Sequence, residues 1–510
     1  MSLIELTRKL LKGAHLSEAP QPAVATLPDS QARLTAPDFH THKQAAVESF
    51  LGFTAGGEAP QWPLEVFLEI SNICDLQCAM CPTFSALNPN RFKILKNNDR
   101  GLISFEETAQ PLESVLEHAL IVHAFGYGEP TIHPQFREFI AYLAGFNVMV
   151  DFFTHGMHLT QELCEFLVAN RVARLTISFS GATAQEYENV YLGGDFDRVL
   201  TGLKTLSAVK AREQSSYPAI DVNSLGFTHH VEKLPEFVRL MGEHGVSTIH
   251  LKPLQTYDTI KELHTHSSVM RPAVEGPILE EAKRVAAEYQ INLASVPYEQ
   301  TQDIAQRFPD NPQQARHKGD ETLSAQAIDI KDLKTIARSQ DKKTAMRIAA
   351  QDIEDELARK EKSAERPYIR NTGTPCLEPY KTLYASFNGK VYPCCFKNDS
   401  GEELGTLHDN SAEEVWRGAQ WQALRTNALQ REYPEDLCGN CLKANTYPKS
   451  HNLAMKLNQY SRWFAESFGC DFDQPLLQRA RQTPDNEAII AQRTGQSTPS
   501  SPDGASPSRD

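Results

Sequence analysis

Short apolar runs alternate with longer amphipathic stretches from residue 65 onward, and this alternation restricts the fold more than any other feature of the chain. Six runs rich in β-branched and aromatic residues have the length of strands: residues 65–71, 119–126, 147–156, 174–181, 219–226 and 247–254. Helical patterns lie between them, at residues 136–145, 160–170, 196–211 and 231–245. Repeats of this kind predict a parallel sheet with right-handed crossovers.

Six strand–helix units fit an α/β fold built as a partial (β/α)6 TIM-type barrel better than a closed eight-stranded one. A further strand-like run at residues 291–297 can extend the sheet. In barrels of this kind the chemistry is carried out at the C-terminal ends of the strands. The residues directly after each run are therefore the candidates for a functional site.

Changes in composition and hydrophobic pattern along the sequence divide the 510 residues into five parts. The expected organisation is an N-terminal extension and linker, a core barrel, a polar helical insertion or connection, a small cysteine-rich domain, and a C-terminal helix with a disordered tail. The corresponding ranges are residues 1–60, 61–298, 299–370, 371–450 and 451–510.

The charge and hydropathy of the chain exclude several classes of partner. A formal net charge of −14 provides no polybasic footprint for nucleic acid. No apolar run reaches membrane-spanning length, and the first residues lack the apolar region and cleavage site of a signal peptide. We therefore expect a cytoplasmic protein with neither nucleic acid nor a membrane as partner.

The cysteines are clustered, and in a chain without a secretory signal clustered cysteines indicate metal ligands rather than disulfides. Cys74, Cys78 and Cys81 form a C-x3-C-x2-C arrangement directly after the first strand. Three thiolates on one loop can hold three irons of a [4Fe–4S] cluster and leave the fourth iron open. A zinc site with a fourth ligand elsewhere and three incidental structural thiols are the alternatives.

This arrangement resembles the signature of the radical S-adenosylmethionine (SAM) superfamily, and the resemblance covers roughly residues 65–297. It implies a [4Fe–4S] cluster whose open iron chelates the amino and carboxylate groups of SAM. Met80 stands where the family has a large apolar or aromatic residue near the adenine.

Further motifs at the predicted strand ends resemble SAM-binding segments of the same family. The sequence after strand two, with Gly126, Gly128, Glu129 and Pro130, is similar to the Gly-Gly-Glu-Pro motif. Glycines there let the backbone approach the ligand, and Glu129 or nearby carbonyls can accept from the methionine ammonium. Other residues that the resemblance marks as SAM contacts are Thr154, Ser178 and, as a weaker substitute, Arg198. The sequence departs from the family at His155, Ser180 and Tyr191.

A second group of cysteines lies near the C-terminus, where a hairpin pattern precedes a C-x2-C knuckle. Spacing alone allows either zinc or a second iron–sulfur cluster. The G-x4-C segment that ends at Cys394 resembles the SPASM extension of radical SAM enzymes, or its shorter twitch form. The resemblance implies one auxiliary [4Fe–4S] cluster with the ligands Cys376, Cys394, Cys438 and Cys441. Cys395 is an alternative ligand to Cys394, whereas Cys164 and Cys470 are interpreted as packed thiols.

The chemistry implied by the resemblance is reductive cleavage of SAM to a 5′-deoxyadenosyl radical that abstracts hydrogen from a C–H bond, with the auxiliary cluster taking up an electron. An electron donor of the flavodoxin or ferredoxin type is expected, and the substrate is a peptide or a small molecule. Oxidation, dehydrogenation, cross-linking or epimerisation can follow, and a non-catalytic zinc or iron–sulfur scaffold is the alternative from another class. The weak substrate-side candidates are His250, Lys252, Glu378 and Tyr380.

Overall fold

A computed structural model describes most of the predicted barrel and of the C-terminal region. The described residues are 35–85, 87–88, 101–254, 272–295, 368–370, 375–394, 403–438 and 453–494. The first part of the N-terminal extension, most of the insertion at 299–370, the end of the tail, Cys395 and Cys441 lie outside them.

The predicted parallel sheet is present, and the α/β fold class is confirmed. Its first seven strands are β1 (Glu65–Leu68), β2 (Ile121–His123), β3 (Met149–Thr154), β4 (Arg174–Ser178), β5 (Ala219–Gly226), β6 (Thr248–Pro253) and β7 (Asn292–Ser295). They are neighbours in chain order, and each adjacent pair is parallel. Crossovers between neighbouring parallel strands are right-handed in nearly all proteins, and successive crossovers of that kind produce this strand order.

Helices fill the crossovers and flank the sheet. Those of the core are α2 (Phe105–His118), α3 (Phe136–Gly145), α4 (Gln161–Ala169), α5 (Ala184–Val190), α6 (Phe196–Arg212), α7 (Thr228–Val231), α8 (Leu234–Glu243) and α9 (Pro272–Glu288), after an N-terminal α1 (Ala45–Thr54). Side-chain caps fix where several of them begin: Ser104 accepts from the Glu107 amide, and Thr160 accepts from the Leu163 amide. No helix among the described residues is long and apolar enough to cross a bilayer.

The two faces of the sheet differ in polarity because side chains alternate along each strand. Val66, Val122, Val150, Leu175 and Ile220 are almost fully buried in the main core with the helices. The opposite face is the polar face of the sheet and carries His123, Asp151 and Arg174. Together with Phe67 of β1, these residues are successive neighbours in register on β1 to β4.

The cysteine-rich region extends the same sheet beyond β1. Strand β9 (Thr382–Ala385) pairs parallel with β1, β10 (Lys390–Tyr392) pairs antiparallel with β9, and β11 (Gly405–Thr406) completes a ten-stranded sheet. Strands β8 (Tyr368–Arg370) and β12 (Glu432–Pro434) form a separate antiparallel pair. The open edge of β1 is thereby covered, as an edge strand requires. Helices α10 (Ala412–Arg417) and α11 (Ala419–Leu429) lie between β11 and β12.

A second core lies at the amino ends of β1 to β4, where α1 meets the C-terminal helices. These are α12 (Leu453–Phe468), α13 (Gln474–Arg481) and α14 (Asn486–Thr494). Leu64, Leu120 and Ala173, just before or at the start of strands, belong to this core together with Phe464 of α12. Lys456 of α12 places its Nζ 2.5 Å from Glu65 Oε1, so α12 closes this end of the sheet with both apolar and ionic contacts.

Candidate SAM and iron–sulfur sites

The loop that carries the first three cysteines follows β1, and hydrogen bonds within the loop and to α5 stabilise its conformation. The Ser71 hydroxyl accepts from the Ile73 amide at 3.1 Å and donates to the Ile73 carbonyl at 3.0 Å. Further along, the Ala79 amide donates to the Val190 carbonyl at 2.7 Å, which ties the loop to the end of α5. Cys74, Cys78 and Cys81 are half-buried on this loop.

The partly buried thiols of this loop influence the ionisation of one another. Burial, reinforced by the neighbouring Cys78, raises the pKa of Cys74 well above its usual range; burial and Cys81 raise the pKa of Cys78 in the same way. Three neighbouring thiols on one loop suit an iron–sulfur cluster, since iron binds thiolates and stabilises them against protonation. The three cysteines are therefore the residues that would hold the SAM-binding cluster.

The glycine motif after β2 is bonded directly to the cysteine loop. The Gly128 amide donates to the Ser71 carbonyl at 3.2 Å, and the Glu129 amide donates to the Ile73 carbonyl at 2.8 Å. A Cβ atom at Gly128 would lie 2.5 Å from the carbonyl oxygens of Ser71 and Ile73, which leaves no room for any side chain. The two motifs that the sequence places after adjacent strands thus form one packed unit.

Glu129 is buried, and protein donors already occupy its carboxylate. Thr154 Oγ1 donates to Oε1 at 2.7 Å, and the His155 amide donates to Oε2 at 2.9 Å. Thr131 contributes its amide at 3.1 Å and its hydroxyl at 2.5 Å, so Glu129 also caps the short helix that begins at Pro130. In this structure Glu129 positions the loop after β3 against the glycine motif.

Two histidines after β3 converge on Asp75, which is next to Cys74 in the chain. His155 Nε2 lies 2.8 Å from Asp75 Oδ1, and His158 Nε2 lies 2.9 Å from Asp75 Oδ2. Burial alone would raise the pKa of Asp75, but the hydrogen bonds from both histidines hold it well below its usual range. The sequence motifs did not predict Asp75 and His158. The position of Asp75 directly after Cys74 could have indicated a charged group at this site.

The remaining predicted SAM contacts lie around this unit. Met80 is half-buried and packs against the main core. Ser178 ends β4, where it pairs with Asn223 of β5. Arg198 is exposed at the start of α6, and its positive charge acts on His155. Ser180, where the family has aspartate, accepts from the Leu225 amide at 2.9 Å inside the core.

The polar face of the sheet continues to the substrate-side candidates on β6. Asn223, whose orientation the sequence left open, is in register with Ser178 and His250, so it lies on this polar face. His250 Nε2 is 3.3 Å from Asp221 Oδ2. Lys252 places its ammonium 6.0 Å from the Phe153 ring centre, and burial lowers its pKa.

The described cysteines of the second group lie on elements at the opposite end of the sheet, and Cys376 and Cys438 are both near Tyr433. Cys376 precedes β9, which runs parallel to β1, so it lies at the amino ends of the strands in the second core. The Tyr433 hydroxyl accepts from the Cys376 amide at 2.9 Å and donates to its carbonyl at 3.1 Å. Cys438 contacts the same core, and Cys394 follows the antiparallel strand β10. This arrangement fits a second cluster remote from the first one.

Glu378 and Tyr380 also precede β9, so the structure does not bring them to the cysteine loop after β1. Glu378 forms an ion pair with Lys381 at 2.8 Å and accepts from Thr382 Oγ1 at 2.7 Å. The Tyr380 hydroxyl donates to the Arg425 carbonyl at 2.6 Å, and its ring stacks on Phe53. The parallel pairing of β9 with β1 is the physical reason for their separation from the site.

Family profiles match two segments of the chain. Residues 68–218 match the radical SAM superfamily, and residues 376–442 match the SPASM iron–sulfur cluster-binding domain. These domains imply a [4Fe–4S] cluster with SAM in the first segment and additional iron–sulfur binding in the second.

Two curated proteins are similar to part of this chain. A mycofactocin maturase of Mycobacterium tuberculosis, MftC, is 25% identical over 185 residues, which are 36% of this chain and 43% of the relative. A PqqA peptide cyclase of Bradyrhizobium diazoefficiens is 23% identical over 195 residues, which are 38% of this chain and 47% of the relative. The chain therefore spans less than half the length of either relative. Streptococcus suis SuiB, solved with S-adenosylmethionine, shares 14% identity with a TM-score of 0.45, covering 72% of this chain and 69% of that one.

Proposed function

Since the chain contains a radical SAM domain and a SPASM domain, we propose that it is an enzyme that cleaves SAM reductively and modifies a C–H position of a peptide. The observation that carries this proposal is the direct hydrogen bonding between the cysteine loop and the glycine motif, at Ser71 and Ile73 on one side and Gly128 and Glu129 on the other. Cluster ligands and the segment expected to hold SAM are thereby fixed relative to each other, as a reaction between the two requires.

The chemistry that the bound cluster and SAM supply is one-electron cleavage of the sulfonium and removal of a hydrogen atom from the substrate. Cys74, Cys78 and Cys81 hold the cluster in this proposal. The short backbone contacts at Gly128 keep the SAM-binding segment close to that loop, and Glu129 orients Thr154 and His155 beside it. Ser178 is a proposed SAM contact on the polar face of the sheet, and Asn223, His250 and Lys252 on the same face form the proposed substrate side.

A peptide is the proposed substrate because relatives over the core segment are named as a mycofactocin maturase and a PqqA peptide cyclase. A small molecule is the competing class. We further propose that the net reaction is an oxidation: after hydrogen abstraction, one proton and one electron leave the substrate, and the electron passes to the auxiliary cluster. Cys376, Cys394, Cys438 and Cys441 are its proposed ligands, and an epimerase, which needs no net oxidation, is the competing reaction.

The organisation proposed for this enzyme keeps residues 61–298 as the core and residues 371–450 as the auxiliary unit. The insertion of residues 299–370 connects them, and residues 1–60 and 451–510 flank them. We propose a cytoplasmic enzyme served by a flavodoxin- or ferredoxin-type donor, because reduced iron–sulfur clusters need a reducing compartment.

The test is an assay for 5′-deoxyadenosine after anaerobic reconstitution. Iron and sulfide are counted, dithionite and SAM are added, and the product is measured with and without candidate precursor peptides. The wild-type protein should form 5′-deoxyadenosine, and Cys78→Ala should form none. The matched control is Cys164→Ala, a buried thiol of α4 outside both sites, which should retain product formation. A wild-type protein with its first cluster intact that forms no 5′-deoxyadenosine under any of these conditions would contradict the proposal.

A further inference from the structure

Two histidines and a glutamate meet where the N-terminal helical segment contacts the end of α2. His42 lies in the π-helical turn Phe39–Gln44 that precedes α1, and His118 is the last residue of α2. His42 Nδ1 and His118 Nε2 are 3.3 Å apart. A carboxylate oxygen of Glu117 lies within 4.8 Å of both nitrogens. This group shares no residue with either cysteine site, and it lies at the end of the sheet opposite to the cysteine loop that follows β1.

The hydrogen bonding of His118 leaves a lone pair directed at His42. His118 Nδ1 is 2.9 Å from the Ser114 carbonyl oxygen, which can only accept, so Nδ1 carries the proton. In the neutral ring, Nε2 is then the unprotonated nitrogen. The ring stacks on Trp62 with centroids 3.9 Å apart and an interplanar angle of 8°, which fixes its plane. Histidines that bind metals usually donate their second ring N–H to a carbonyl or carboxylate in this manner.

The distance between the two nitrogens matches the edge of a tetrahedral metal site. With zinc–nitrogen bonds of about 2.0–2.1 Å, two ligands at the tetrahedral angle lie about 3.3–3.4 Å apart. Glu117 is exposed, so its carboxylate can rotate to occupy the third ligand position of the metal. We propose that His42, Glu117 and His118 bind a divalent transition metal such as zinc, with water as the fourth ligand.

The chemistry of the donors favours this class of cation. Two imidazoles and one carboxylate suit zinc and its neighbours, whereas magnesium and calcium prefer oxygen ligands alone. The site lies at the C-terminus of α2, where helix carbonyls attract positive charge. Lys43 occupies two of these carbonyls, because its Nζ donates to the carbonyls of Leu116 at 2.9 Å and Ala119 at 2.8 Å, and its positive charge opposes a cation at His118. Glu117 provides the negative charge that faces the metal position.

A metal bound here would join the N-terminal helical segment to the core. His42 belongs to the segment that leads into α1, and α1 packs in the second core. Helix α2 leads directly into β2 of the parallel sheet. The proposed site is therefore a clamp between these two parts of the protein, and it takes no part in the SAM reaction.

The experiment measures zinc in the enzyme with its iron–sulfur clusters already reconstituted, so that the cluster cysteines are occupied. Samples are dialysed anaerobically against buffered Zn2+, and zinc and iron are counted together. The wild-type protein should hold one zinc per chain beyond its iron, and zinc should raise its thermal unfolding midpoint because the metal binds only the folded state. Glu117→Gln should weaken zinc binding by about 10-fold or more, and His42→Ala should abolish it.

The control variant is His408→Gln, which changes a half-exposed histidine elsewhere on the surface and should leave zinc binding unchanged. All variants should keep the wild-type iron content, which separates this proposal from that of the clusters. Glu117→Gln alters an exposed side chain, so it tests the site even if His42→Ala does not fold. Equal zinc content and affinity in the wild type and in Glu117→Gln would overturn the proposal, as would the absence of bound zinc in the wild type.

Discussion

The carboxylate of Glu69 accepts a hydrogen bond from the Ser386 hydroxyl at 2.8 Å, although 317 positions separate the two residues in the chain. The other oxygen of Glu69 accepts from the Tyr127 amide at 3.0 Å, inside the glycine motif. One buried carboxylate after β1 therefore joins the glycine motif to the hairpin of the cysteine-rich region. It couples the two domains where β9 pairs with β1.

Replacing Glu69 by glutamine should destabilise the protein, because the amide cannot accept equally from both donors and no longer carries charge. Hydrogen bonds to a buried charged group contribute about 1.5–3 kcal/mol each, so we expect a loss of about 2–3 kcal/mol in the free energy of unfolding. Denaturant unfolding of the reconstituted protein measures it. Ser386→Ala removes a single donor and should cost about half as much; equal stability of Glu69→Gln and the wild type would contradict the role given to this carboxylate.

Gly128 should tolerate no side chain. A Cβ atom there would meet the carbonyl oxygens of Ser71 and Ile73 at 2.5 Å, and these backbone atoms cannot move without displacing the cysteine loop. We expect Gly128→Ala to lose SAM binding, measured as the change that SAM causes in the electron paramagnetic resonance spectrum of the reduced cluster. Gly145→Ala, at the end of α3 with open space around it, is the matched control. Normal SAM binding by Gly128→Ala would show that the loop contact is dispensable.

Local patterns predicted the parts of this protein that depend on short stretches of chain. The strands and the order of the parallel sheet follow from periodicity, because each run must bury its own apolar residues. The pairing of β9 with β1 depends on which edge remains open after the core has formed, and no periodicity within residues 382–385 encodes it. The positions of Glu378 and Tyr380 before β9, away from the cysteine loop, depend on this pairing and could not be predicted from local patterns. The role of Glu69, a charged residue within an apolar run, depends on the same pairing.

Loss of Cys376 should remove only the auxiliary cluster. Because Cys376 lies at the amino ends of the strands and Cys74, Cys78 and Cys81 follow the carboxyl end of β1, the two proposed sites should lose iron independently. With two [4Fe–4S] clusters in the wild type, Cys376→Ala should keep about half of the iron and should still form 5′-deoxyadenosine. Iron and sulfide analysis measures this, and Cys470→Ala, a buried thiol near α13, is the control. Full iron content in Cys376→Ala would remove this residue from the ligand set.

His123 should make the stability of the protein fall at alkaline pH. Its Nδ1 lies 2.6 Å from Asp151 Oδ1 and its Nε2 lies 3.7 Å from Glu65 Oε2. Burial alone would lower the pKa of His123, but these carboxylates outweigh it and raise the pKa from 6.5 to about 9. A group whose pKa is higher in the folded state stabilises fully below its unfolded pKa and ceases to stabilise as the pH rises through the folded one.

The charged form of His123 should therefore stabilise the fold at about pH 6 and contribute little at about pH 9.5. The rise in the pKa of His123 from 6.5 to about 9 corresponds to about 3 kcal/mol in the free energy of unfolding. Denaturant unfolding of the wild type and of His123→Gln is measured across this pH range. The difference in their free energies of unfolding should shrink by about 3 kcal/mol as the pH rises. His408→Gln, half-exposed, should run parallel to the wild type. If the gap between His123→Gln and the wild type stays constant with pH, the imidazole is neutral in the fold and Asp151 and Glu65 do not hold its proton.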